Sequence, residues 1–110
     1  MNKIPTTLKE CLSKLKTIYS TELEAFKNYK ENRLPMLHFT FGKQIRNNFK
    51  LWNEDTKLVK YFIKLGIYHP DDMSMIIITS FHRLLNNKDI NLNKQIQFYI
   101  NFWKKEIYNG

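Results

Sequence analysis

Two adjacent carboxylates, Asp71 and Asp72, stand behind Pro70 and His69 in the string HPDDMS, and His82 follows in the same apolar segment. Upstream, Lys43, Arg46 and Asn47 share the string GKQIRNNFKLW with Trp52. A planar guanidinium holds a phosphate or carboxylate through two parallel hydrogen bonds, and a lysine adds a point charge. These residue types suit a nucleotide-like ligand. Its phosphate would go to Arg46 and Lys43, a ribose hydroxyl to an aspartate, and a base onto Phe39 or Trp52. Lys43, Arg46, Asn47, Trp52, His69, Asp71, Asp72 and His82 are therefore the expected ligand-binding residues. A structural use of the same groups stays open, in which Arg46 pairs with Asp71 or Asp72 and fixes the crossing of two helices. His82 reads as bonding a neighbouring carbonyl, and His69 as a helix cap or a ligand-facing group.

Other chemistries find less support. No two histidines have the spacing by which one helix presents two metal ligands, so no metal is expected. Ser74 and Ser80 lack the glycine-flanked elbow that exposes a nucleophile. Cys11 falls on the inner face of its helix, where a thiol is inert. The glycines are isolated and build no phosphate-cradling loop. No catalytic residue and no cofactor are expected. Lys43, Arg46 and Lys50 lie at i, i+3 and i+7 and predict a short basic stripe. No base-reading motif surrounds it, so nucleic-acid binding is expected to be weak, non-specific and salt-sensitive.

Charge bounds the partners. The chain of 110 residues carries 18 basic against 10 acidic residues, a formal net charge of +8, which favours anionic ligands or an acidic protein surface. Six basic residues against two acidic ones fall between 43 and 64. The longest apolar run, Met75 to Ile78, is far below the roughly 20 residues of a membrane span, and residues 1 to 7 have no apolar core of a secretory signal. A single cysteine fits a reducing compartment. A cytoplasmic protein with no membrane partner is expected.

The elements that must position these groups read as helices almost throughout. Leu8, Cys11, Leu12, Leu15 and Ile18 recur at helical spacing, and Thr7 with Glu10 has the form of a capping box for a helix over 7 to 18. Thr21 and Glu24 repeat that form and predict a second helix with Leu23, Phe26 and Tyr29 inward. Pro35 suits a first helical turn. From there Leu37, Phe41, Ile45, Phe49 and Trp52 predict one continuous third helix, with Gly42 inside it marking a close approach or a later start. Asp55 or Thr56 caps a fourth helix ended by Gly66. Pro70, Asp71 and Asp72 open a helix that is apolar on more than one face and therefore buried. A last helix, from Asn91 or Asn93 to about 108, turns Ile96, Tyr99, Trp103 and Ile107 inward. The fold class is all-α: a single compact domain of about six helices, residues 1–110, around a buried central helix (residues 70–86).

The strings HFTFGKQIRNNFKLW and GIYHPDDMSMII together resemble a family of small bacterial domains of unknown function. Its pattern reads H-F-x-x-G-x-x-I-R-N-x-W-x-L-W, then G-I-x-H-P-D-D-M-S-x-I-I. The resemblance runs from Ile4 over most of the chain, and Phe49 stands where the pattern has tryptophan. It implies a fold unit and a set of matched polar positions: His38, Gly42, Arg46, Asn47, His69, Asp71, Asp72, Ser74 and His82. It implies no activity.

Two function classes follow from the residues. One is a non-enzymatic binding module for a small anionic, nucleotide-like ligand. The other is a protein-interaction module, such as an immunity or inhibitor protein that blocks a partner. A closed polar pocket would favour the first, and a large exposed apolar patch the second.

Overall fold

Helix α1, Leu8–Ile18, starts where Thr7 accepts the Glu10 N–H on its hydroxyl oxygen. The Glu10 carboxylate reaches back one residue further than a capping box requires, and accepts the backbone N–H and the hydroxyl of Thr6. Leu8, Cys11, Leu12 and Leu15 are its buried stripe. The computed structural model describes residues 3–109, with side chains through residue 106. Ile107, expected on the inner face of the last helix, lies outside the described side chains.

Helix α2 is shorter than expected, Leu23–Lys27, and Glu22 rather than Thr21 stands at its start with no side-chain cap. It still turns Phe26 inward, stacked on Phe81 and edge-on to Phe41.

The expected continuous third helix is broken into three. A 3-10 helix over Glu31–Leu37 holds Pro35 in its interior, a π turn follows over His38–Gly42, and α3 runs only over Lys43–Asn48. The reason lies at Gly42. A Cβ on this buried residue would sit 3.0 Å from Nη1 of Arg46 and 3.4 Å from the Leu37 carbonyl. Glycine and the widened turn let the arginine side chain fold back along its own helix instead of projecting from it.

Helix α3 ends when Lys50 takes a left-handed conformation (φ 51°) and the Leu51 N–H bonds the Arg46 carbonyl. This is the helix stop in which glycine is the usual residue. Gly66 (φ 92°) does the same after α4, Lys57–Lys64, and Asn87 (φ 57°) after the central helix. Thr56 caps α4 by accepting the Val59 N–H.

That central helix, α5, spans Pro70–Leu85. Met73, Ile76, Ile77, Ile78 and Phe81 are fully buried, and the helix packs against α1, α2, the 3-10 helix, the π turn, α3 and α6 (Leu92–Asn109). Every regular element among the described residues is helical, so the all-α architecture around α5 is as the periodicity predicts. No described helix is long and apolar enough to cross a membrane.

Candidate functional site

The π turn, α3 and the first turn of α5 bring Arg46, His38, Ser74 and Asp71 together. Arg46 Nη1 donates to the buried Ser74 hydroxyl at 3.0 Å, and Nη2 donates to the His38 carbonyl at 3.0 Å. The Ser74 hydroxyl in turn donates to the Asp71 carbonyl at 2.9 Å. The His38 ring nitrogen Nδ1 lies 3.4 Å from Nη1, which leaves Nε2 on the side of Asp71. Asp71 meets Arg46 only at 3.6 Å, through Nε, and its side chain is 65% exposed against 16% for the arginine. The guanidinium is thus tied mainly to neutral oxygens of the protein, and the carboxylate it faces is largely in water.

Asp72 belongs to a different group. Its carboxylate accepts the indole N–H of Trp103 at 2.8 Å, and the Trp103 ring lies stacked on His69 with centroids 3.9 Å apart. Partial burial raises the Asp72 carboxyl above its ordinary value, and the charge of Asp71 adds to this; the Trp103 bond and His69 pull the other way. Nearby Tyr99 is pushed up to about 12, by burial first and by the Asp72 charge second. The two adjacent aspartates therefore face two elements: Asp71 faces the π turn and α3, Asp72 faces α6.

The other expected residues separate from these groups. His82 is buried nearly three turns beyond Asp72 on α5, where Nε2 bonds the Tyr29 carbonyl at 2.6 Å and Nδ1 has no partner. Lys43 and Asn47 are exposed on α3. Trp52 is exposed on the turn after α3 instead of lying on an inward stripe, and Leu51 takes the buried place. Lys50 has left the helix, so the basic stripe of Lys43, Arg46 and Lys50 does not form a face.

Trp103 and Ser74 are partners that the expected ligand-binding set left out, although Ser74 stood among the matched polar positions of the resemblance. Both carried a signal. An indole N–H packed against protein normally finds an acceptor, and Asp71 and Asp72 put two adjacent carboxylates at the start of the buried helix. A serine one turn into a buried helix likewise needs a partner for its hydroxyl.

Around Trp103 the surface is aromatic. Tyr68 is 65% exposed, Phe98 64% and Phe102 45%, and Trp103 itself stays 36% exposed. Phe102 meets Trp103 edge-on at 5.2 Å, and Trp103 in turn stacks on His69; one helical turn earlier Phe98 meets Tyr99 at 5.1 Å. Tyr68, His69, Ile100, Trp103 and Lys104 line a shallow cavity of about 350 Å³ in this face. Among the described residues, no group of three or more histidine, cysteine, aspartate or glutamate side chains is placed to hold a metal ion.

No curated protein and no solved structure matches the chain. A family model does, over residues 4–85, which takes in the π turn, α3 and all of α5 and leaves α6 outside. By that match the chain belongs to the family described as a domain of unknown function, DUF6794.

Proposed function

We propose that this protein is a binding module that recognises an acidic protein surface through the aromatic face of α6 and the Tyr68–His69 turn. One observation carries the reading. Four large aromatic side chains stand partly or mostly in water on neighbouring positions, where a soluble domain ordinarily buries or disperses them. Aromatic residues are enriched at the centres of protein interfaces because they bury much area at little entropic cost.

Charge supplies the partner's sign. Lys94, Phe98, Phe102 and Lys105 follow one another at four, four and three residues, so one stripe of α6 has apolar rings at its middle and a cation at each end. Two copies of this stripe would set lysine against lysine. An acidic partner meets no such repulsion, and the net charge of +8 steers it in.

The small-ligand reading leaned on Arg46, whose guanidinium is occupied by Ser74 and His38. A photo-reactive phenylalanine analogue placed at position 98 tests the reading. Cross-links to one acidic protein from position 98, and none from the exposed α4 position 57, support it. Adducts formed equally from both positions, or to nucleic acid alone, would overturn it.

A further inference from the structure

A second concave region lies away from the Arg46 and Trp103 groups, between α1 and the loop that joins α5 to α6. It is an open groove of about 900 Å³, within the range of small-molecule sites. Its floor is aliphatic, from Leu8 and Leu12 of α1 and from Leu84, Ile90 and Leu92 opposite, with Tyr61 as the single aromatic wall. Lys9 and Lys16, two turns apart on one side of α1, stand at one edge, and Lys94 stands at the other. Among the described residues none of the three is paired with a carboxylate.

The loop wall is held in place before any ligand arrives. Arg83 donates from Nε to the Asp89 carbonyl at 2.6 Å and from Nη1 to Glu31 at 2.6 Å. Gln95 donates to the Ile90 carbonyl at 2.9 Å and reaches the buried Ser80 hydroxyl at 3.1 Å. These bonds fix Ile90 over the groove. Asp89 is the one acid among the lining residues, and its carboxylate is turned to Asn91: the side-chain amide, oriented with nitrogen towards it, donates at 3.1 Å. Three lysines against this one aspartate leave the lining with a net charge of 3 − 1 = +2, which favours an anion.

We propose that this groove binds a free medium-chain aliphatic carboxylate, with the chain along the leucine floor and the carboxylate at the lysine rim. The aliphatic lining selects the chain over a flat ring system, and the unpaired ammonium groups select the anion. A folded peptide would extend past a groove of this volume. The site shares no residue with the aromatic face except Lys94, and does not depend on it.

The test is an amide-resolved NMR titration of the full chain with decanoate and decyltrimethylammonium below their micelle concentrations and with decanol below its solubility limit. Decanoate is expected to shift the amides of residues 8–16 and 90–94 and to bind more tightly than the other two. Replacing both Lys9 and Lys16 by glutamine, at exposed positions that leave the fold alone, should weaken decanoate about fivefold and leave decanol unchanged, as two exposed ion pairs imply. Ser13→Trp, which fills the groove from an exposed position of α1, should remove all three. Equal binding of the cation and the anion, shifts confined to other segments, or no shifts at all would overturn the proposal.

Discussion

Arg46 and Ser74 are joined by a hydrogen bond of 3.0 Å from Nη1 to Oγ, and this bond ties α3 to the first turn of the buried central helix. Asp71, the more obvious partner by charge, stands further off at 3.6 Å in a largely exposed position. The difference sets an order of energies. Arg46→Met should cost about 2–4 kcal/mol, because a charged donor leaves the His38 carbonyl and the Ser74 hydroxyl without it. Asp71→Asn should cost at most about 1 kcal/mol, as exposed ion pairs do. Denaturant unfolding of a double-mutant cycle checks both: coupling of Arg46 to Ser74 should exceed coupling to Asp71.

Gly42→Ala should lower stability, against the usual gain of about 1 kcal/mol for that change inside a helix. The added Cβ meets Nη1 of Arg46 at 3.0 Å, and the guanidinium is pinned by Ser74 and His38 and cannot yield freely. A net loss of up to about 2 kcal/mol is expected from such overpacking. The same change made in the Arg46→Ala protein should be neutral or stabilising relative to Arg46→Ala alone. Melting temperatures of the three variants read the sign reversal directly.

Ile77→Ala should cost about 2–5 kcal/mol, since Ile77 is fully buried in α5. Urea unfolding with an unchanged slope would attribute the loss to a cavity in the core and not to a changed unfolded state.

Much of this was legible in the sequence, and what was not has identifiable causes. Thr56, Gly66 and Pro70 mark α4 and the start of α5 because each acts locally: a hydroxyl cap, a left-handed stop, a first-turn ring. The apolar positions between Met73 and Phe81 cover too much of the helix surface for any place but the centre. The run from Leu37 to Trp52 misleads because its spacing fits an unbroken helix. The breaks come from Arg46 folding back over Gly42 and from Lys50 adopting a left-handed turn, and neither is visible in a pattern of apolar residues. Asp71 and Asp72 were readable as a helix start. Their division between two neighbours depends on where α3 and α6 dock, which only packing decides.

Asp72 gives the protein a pH response of definite sign. Its folded carboxyl is raised above the ordinary 3.8, so the native state holds its proton more tightly than the unfolded chain does. The resulting contribution is present below the ordinary value and is lost as pH rises from there through the raised one. Asp72→Asn cannot titrate at this position. Unfolding of both proteins in urea across the acid range should therefore show wild type losing ground to the variant as pH increases through this window.

The most direct test of the interaction module is native mass spectrometry of the full chain purified from its own cells, beside the Phe98→Asp/Phe102→Asp variant. Both positions are exposed, so the variant should keep its circular dichroism and melting temperature. A stoichiometric complex with an acidic protein, present for wild type and lost in the variant, is the predicted result. A chain that carries only a small molecule, or a complex retained when both phenylalanines are replaced, would contradict the account.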